Sequence, residues 1–180
     1  MATYPEAKGV RRYDVDAFLA VQGLAFYNGS VVTTQVKREK QHQQQLRVAE
    51  ERKRAAAAER DRLIYTDPQT GLIWVRNGNI AGKEMNWENA KSWVKNLNYG
   101  GYSGWRLPTK HELASFAKRG GNSPSAYFNA NGFNAVQAGW YWSGTEYDDN
   151  RAWVVHVKDG TVDYSGKRVD VYVWAVRSGQ

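Results

Sequence analysis

The chain has 180 residues, a hydrophobic content of 42% and no cysteine. This length allows one domain with an appendage, or two small units. Without cysteine, the chain has no disulfides, thiol nucleophiles, zinc–thiolate sites or iron–sulfur clusters. The formal net charge of +7 favours anionic partners such as nucleic acid, sulfated or acidic glycans and anionic membranes, although many soluble domains carry a similar charge.

Neither a signal peptide nor a membrane span is expected in the N-terminal region. It lacks the apolar segment that signal peptides require. The nearest hydrophobic stretch, residues 18–32, is interrupted by polar residues and glycines and is too short to cross a bilayer. Asp14 or Asp16 is expected to cap a short helix before a turn at Asn28-Gly29. We therefore expect synthesis in the cytosol. Action at a cell or virion surface is expected from the binding role inferred at the end of this section.

Residues 34 to about 64 predict one long helix. They are rich in Gln, Arg, Glu, Lys and Ala and contain no Gly or Pro. Glu50 and Arg54 have the favourable i,i+4 order for an ion pair. The apolar stripe is thin and lacks the large a and d residues of a strict heptad. Two interpretations stay open: a solvated connecting helix, or a weak coiled coil or docking helix that makes the protein a homo-oligomer or attaches it to a larger assembly.

The tryptophan distribution predicts a domain boundary. All eight tryptophans lie between Trp74 and Trp174, and none lies in the first 70 residues. We therefore predict an N-terminal helical stalk or anchoring region over residues 1–65 and a separate domain over residues 66–180.

Within that second domain, local signals predict short helices and strands. Residues 72–75 form an apolar strand after a turn. Asn86 caps one helix, and Thr109 with Glu112 forms a capping box that opens another, which Gly120-Gly121 ends. A long polar loop is expected over residues 122–139. Strands are expected over residues 140–143, 151–158 and 167–177, with a hairpin turn at Asp159-Gly160.

Several motifs occur in an order that resembles one known family. They are Asp67-x-x-Thr70-Gly71-Leu72-x-Trp74, Trp87-x-x-Ala90, Gly101-Tyr102-Ser103-Gly104-Trp105-Arg106-Leu107-Pro108-Thr109, Glu112-Leu113, Tyr141-Trp142-Ser143-Gly144-Thr145, Ala152-Trp153, Gly160 and Val176-Arg177. Together they span roughly residues 66–178 and resemble the Lcl C-terminal domain family, named for the terminal domain of a Legionella collagen-like surface protein.

The resemblance implies an α+β fold with a C-type-lectin-like head. In that fold, shared with formylglycine-generating enzymes and phage tropism proteins, two helices flank small twisted antiparallel sheets and long loops present a binding face. Known members include adhesins that bind sulfated glycosaminoglycans. Many members carry a cysteine in the first helix and another near the final Val-Arg. This chain has neither, so no disulfide carries over.

The tryptophan and arginine motifs are expected to build the scaffold, with Arg106 bonded to loop carbonyls or a carboxylate. Ligand contacts are expected in the less patterned segments 123–137, 147–151 and 164–168, whose Tyr, Asn, Ser and Arg residues suit adaptable binding loops. The candidate ligand-binding residues are Tyr127, Tyr147, Asn150, Arg151, Lys167 and Arg168. Tyrosines there suit sugar stacking, and the cations suit sulfate or carboxylate.

Catalysis is not expected. Cysteine-dependent formylglycine generation is excluded, and the three histidines are scattered along the chain. No metal site or cofactor is predicted; Glu146 and Asp148 to Asn150 carry oxygen ligands of the type calcium prefers, but their spacing is not that of an EF-hand and an exposed acidic loop is favoured.

The sequence therefore predicts a non-catalytic module for adhesion or receptor recognition whose partner is a glycan or surface protein. The alternative is a structural subunit or decoration protein of a virion or extracellular filament, docked by its N-terminal region. From Asp67 onward, 13 Lys and Arg residues face 10 Asp and Glu residues, so the domain carries only +3. Specific nucleic-acid binding is not expected at that charge.

Overall fold

The computed structural model describes residues 19–20, 22–27 and 30–179. It confirms a mixed α+β structure with a long N-terminal helix. Two compact units divide the chain, Met1–Ala56 and Ala57–Gln180. The strands are β1 Leu24–Tyr27, β2 Ser30–Thr33, β3 Ile64–Thr66, β4 Leu72–Val75, β5 Trp140–Glu146, β6 Arg151–His156, β7 Thr161–Gly166 and β8 Val176–Ser178, and the helices are α1 Thr34–Leu63, α2 Trp87–Lys95, α3 Lys110–Lys118 and α4 Pro124–Ala130.

The N-terminal unit contains an antiparallel β1–β2 pair that leads directly into α1. The predicted long helix is confirmed, and none of its 30 residues is buried. Glu50 and Arg54 form the predicted ion pair at 3.4 Å. Within the described part of the chain, no helix combines the length and the apolar character needed to cross a membrane. The helix expected after Asp14 or Asp16 and the turn at Asn28-Gly29 lie outside the described residues.

The C-terminal unit contains two three-stranded antiparallel sheets. In one, β4 lies between β3 and β8; in the other, β6 lies between β5 and β7. The hairpin predicted at Asp159-Gly160 joins β6 to β7, and Gly160 has a φ of 78°, which favours glycine. The first sheet therefore joins the two ends of this unit, because β8 near the C-terminus pairs with β4.

The central strands bury both faces. One hydrophobic cluster packs α2 through Trp87 and includes Val75 and Trp142, whereas the other packs α3 through Phe116 and includes the neighbouring Trp74 and Tyr141. Because consecutive side chains of a strand point to opposite faces, a strand between two helical layers becomes a continuous apolar run. This explains the unbroken Leu72-Ile73-Trp74-Val75 sequence.

Both predicted helix starts are confirmed. The Asn86 side chain accepts a hydrogen bond from the Asn89 amide at the start of α2. At α3, Thr109 and Glu112 form the reciprocal bonds of a capping box. These caps satisfy amides that have no partner inside the helix.

Arg106 bonds to a loop carbonyl and to a carboxylate, as the sequence predicted. Its guanidinium donates two hydrogen bonds of 2.7 Å to the two carboxylate oxygens of Glu112, and a third of 3.2 Å to the Leu107 carbonyl. The backbone of Arg106 exchanges hydrogen bonds of 2.8 and 3.0 Å with Val176 in β8. Glu112 also accepts the Thr109 amide at 2.7 Å, so one carboxylate fixes both the helix start and the arginine.

We predict that Arg106→Ala lowers the free energy of unfolding by about 1–3 kcal/mol, since a charged hydrogen-bonded pair is lost at a half-exposed position. Arg106→Lys keeps the charge but cannot form the two parallel bonds, so it is expected to rescue only part of the loss. Urea unfolding of the full chain measures both. Wild-type stability of Arg106→Ala combined with loss of ligand binding would instead place Arg106 in the binding site.

Asp67 anchors the turn before β4 from a fully buried position. Its carboxylate accepts hydrogen bonds of 2.7 and 2.8 Å from Arg119, at the end of α3, and bonds from the Gln69 amide and the Thr70 hydroxyl. Only 1% of the Asp67 side chain is exposed. The Arg119 hydrogen bonds are the main reason that the pKa of Asp67 falls from 3.8 to about 2.

This lowered pKa predicts a pH-dependent stability. The folded protein keeps Asp67 ionised where the unfolded chain already binds a proton, so the contribution is complete above about pH 5 and is lost as the pH falls toward 2. The shift of roughly two units corresponds to about 2–3 kcal/mol. Urea unfolding from about pH 6 to about pH 2 should show Asp67→Asn less stable than wild type at the high end, with the difference shrinking on acidification. The exposed Asp170→Asn is the control; a constant difference for Asp67→Asn would contradict the assignment.

Two expectations for this unit are wrong. The segment 122–139 is not simply a polar loop: Pro124 starts α4, whose Phe128 is buried against the α3 side of the core. The segment 167–177 is not one strand, because only residues 176–178 form β8. The residues before β8 lead from one sheet to the other. Val171 exchanges backbone hydrogen bonds with Met85, and Tyr172 bonds to Trp140 and Trp142 of β5. The C-terminal unit therefore has a short additional helix, and its last strand is shorter than the sequence predicted.

Candidate functional site

An exposed group of aromatic rings lies on the β6–β7 face, and we call Tyr147, Trp153 and Tyr164 the aromatic cluster. Trp153 in β6 lies directly opposite Tyr164 in β7. Tyr147 follows β5, and its ring stacks on Tyr164 with centroids 4.3 Å apart and an interplanar angle of 22°. Trp153 meets Tyr147 edge to face at 5.1 Å. Tyr147 is 43% and Tyr164 41% exposed, so these large rings remain accessible to a ligand.

The position of α3 explains why this part of the sheet is open. Farther along the same face of β6, Val155 is buried in the cluster that contains α3. The helix begins at Lys110, whose amide donates to the Thr145 hydroxyl and whose Nζ lies 3.8 Å from the Trp153 ring centroid. Among the described residues, α3 begins at this point and runs on to Lys118, while Tyr147 and Tyr164 remain exposed.

Arg151 holds the two tyrosine rings. Its guanidinium carbon lies 4.7 Å from the Tyr147 centroid and 4.6 Å from the Tyr164 centroid. Its Nε donates a 2.7 Å hydrogen bond to Asp148, whose carboxylate also accepts the amides of Asn150 and Arg151. The Arg151 hydrogen bond is the main cause of a lowered pKa at Asp148, and Asp148 correspondingly raises the pKa of Arg151. These contacts place the guanidinium against both tyrosine rings.

Lys167 ties the 147–150 turn to the rest of the unit. Its Nζ donates to the Glu146 carboxylate at 2.7 Å and to the Asp149 carbonyl at 3.0 Å, and lies 4.6 Å from the Trp87 ring centroid. Its amide donates to the Asn150 carbonyl. Because only 14% of its side chain is exposed, Lys167 is mainly a structural cation of the site.

The structure brings together four of the six sequence-predicted site residues: Tyr147, Asn150, Arg151 and Lys167. Tyr127 lies on α4 with its ring beside Phe128, and no described contact joins it to the aromatic cluster. Arg168 follows Lys167 and is exposed. The ligand-binding role of all six remains a prediction.

Sequence reasoning missed Trp153 as a site residue because it belongs to a family motif and was assigned to the scaffold. The alternation of side chains along a strand could have indicated it, since residues two apart, such as Arg151 and Trp153, lie on the same face of β6. Tyr164 lay within a predicted contact segment, but its pairing with Tyr147 depends on the β6–β7 register.

Two of the acidic groups near the cluster, Asp148 and Glu146, have cationic partners. Asp148 bonds to Arg151, and Glu146 bonds to Lys167, which is the main cause of its lowered pKa. Among the residues that the structure describes, no group of three or more histidine, aspartate or glutamate side chains is placed to hold a metal ion. Asp159 bonds to Thr161 and His156, and these bonds lower its pKa to about 2. These carboxylates stabilise turns and ion pairs.

The C-terminal unit is a small α+β domain, and the family that its sequence matches is of the surface-associated, binding type. The profile of the Lcl C-terminal domain family matches residues 63–177, and the chain belongs to that family. The family identified from the sequence motifs is thereby confirmed. A search of curated proteins finds no match.

We predict that Lys167→Met lowers the free energy of unfolding by about 1 kcal/mol, since it removes two hydrogen bonds and a cation–π contact from a mostly buried ammonium group. Arg168→Met removes the same charge from the next, exposed residue and is expected to change stability by less than about 0.5 kcal/mol. Thermal unfolding of the wild type and of both variants measures these losses of stability. If Lys167→Met were as stable as Arg168→Met, Lys167 would be a free surface cation.

Proposed function

We propose that the family domain is a non-catalytic recognition module with a C-type-lectin-like fold, and that it binds a glycan on a cell or virion surface through the aromatic cluster and the 147–151 turn. The observation that carries the proposal is the stacked, accessible Tyr147–Tyr164 pair held by Arg151. Tyrosines supply a large contact area at a low entropy cost, and here their rings are ordered in advance.

The non-catalytic part of the proposal is supported by the chemistry of the titratable groups. Asp67 and Asp159 have strongly lowered pKa values because they are hydrogen-bonded in turns and ion pairs. Burial raises the pKa of Tyr141, whose hydroxyl accepts the Gln137 amide. Each shift has a structural cause, whereas a catalytic base is usually poised near the working pH.

A structural role in a virion or extracellular filament is the second candidate, and α1 favours it. This helix buries none of its residues, and Leu46 and Val48 are exposed along it. Isolated helices take most of their stability from packing, so we propose that α1 docks onto a neighbouring subunit or a second copy of the chain.

The glycan proposal predicts that the full chain binds at least one glycan on a broad glycan array. The double variant Tyr147→Ala/Tyr164→Ala is expected to weaken that binding at least about tenfold, since two stacking surfaces are lost. Leu46→Ala removes an exposed apolar side chain from α1 and is the control. Circular dichroism checks that the variants fold.

Two outcomes would contradict the proposed site or function. Loss of binding in Tyr127→Ala, with binding kept by the double variant, would move the site to α4. Failure of the wild-type chain to bind any glycan would reject the glycan proposal and favour the structural-subunit role.

A further inference from the structure

Two of the cations beside the aromatic cluster are already paired with carboxylates. Arg151 is paired with Asp148, and Lys167 with Glu146, both at hydrogen-bond distances of 2.7 Å. Lys110 covers the Trp153 ring. An anionic ligand group would compete with a local carboxylate for Arg151 or Lys167. The turn also carries Glu146, Asp148 and Asp149, so it gives an anion little attraction.

The exposed rings themselves disfavour an anion. The face of an aromatic ring carries the negative part of its quadrupole, which attracts C–H groups and cations and repels negative charge. A sugar ring without charged substituents presents C–H groups on one face and hydroxyl groups at its rim. The Tyr147–Tyr164 pair offers ring surface for the first, and the exposed turn at Asn150 offers polar groups for the second.

Arg151 has a geometry suited to holding the rings. Its planar guanidinium lies at nearly equal distances from both tyrosine rings, and the Asp148 carboxylate accepts hydrogen bonds from its Nε and from the Arg151 amide. A planar group with several fixed donors can stack and form an ion pair at the same time, which an ammonium group does less well.

We infer that the aromatic cluster binds an uncharged sugar ring, and that Arg151 is a positioning residue that holds Tyr147 and Tyr164 rather than a partner for an anionic ligand group. The inference rests on the proposed glycan function. It replaces the sulfate- or carboxylate-pairing role predicted for Arg151 and Lys167 from the sequence. Binding should then depend on ring placement and respond little to salt.

The test uses the full wild-type chain on immobilised neutral polysaccharides (mannan, galactan and dextran) and on heparin, at about 50 mM and about 500 mM sodium chloride, between which the screening length falls well below 10 Å. We expect binding to at least one neutral polysaccharide that changes less than about twofold between the two salt concentrations, since no ligand charge is screened.

Arg151→Gln tests the positioning role. It is expected to weaken binding to the neutral polysaccharide about tenfold, which is the effect of losing about 1.4 kcal/mol. The matched control Arg60→Gln removes the same charge from an exposed position in the last turn of α1. Arg151→Lys keeps the charge and should fail to restore binding, whereas a simple charge partner would be restored.

The outcomes separate this inference from the proposed function. Binding to heparin alone, lost at the higher salt concentration, would overturn the inference and leave glycan recognition intact. Neutral binding that survives Arg151→Gln would overturn the positioning role. Binding to no glycan, here or on the broad array, would overturn the proposed function and the inference with it.

Discussion

A thin sheet layer in the C-terminal unit has to bury side chains on both faces, and most of its architecture follows from that constraint. Trp74 packs on the α3 side and its neighbour Val75 on the α2 side. In the same way, Tyr141 packs on the α3 side and Trp142 on the α2 side. The two helices therefore have to start at fixed positions. The caps at Asn86 and Thr109 set those starts, and the Arg106–Glu112 pair holds the second cap against β8.

The exposed site is a consequence of where this layered packing ends. Lys110 begins α3 beside Trp153, so the helix covers Val155 and leaves the end of the sheet near Arg151 open. The rings there cannot join either core, and they pack on one another and on Arg151 instead. A surface made in this way is ordered by contacts between its own residues, which is the condition for binding with little loss of entropy.

Charge pairing distinguishes this surface from a general basic patch. The chain carries +7 overall, but the turn beside the aromatic cluster places Glu146 and Asp148 against Lys167 and Arg151. The cations therefore fix the shape of the turn. Composition describes the attraction of a whole chain for anions, whereas the chemistry of one site depends on which charges are already paired.

The sequence by itself determined the local structure and the family. A Gly- and Pro-free run fixed α1, caps and apolar spacing fixed α2 and α3, and ordered motifs identified the Lcl C-terminal domain, because each of these signals lies within a few residues of what it specifies. Tertiary structure decided the rest: the partner of Asp67 lies 52 residues away at Arg119, and α4 forms where Phe128 finds a core. The candidate site depends on strand register, which brings Tyr164 beside Tyr147 and Arg151. Such pairings are set by packing of distant segments, and no local pattern encodes them.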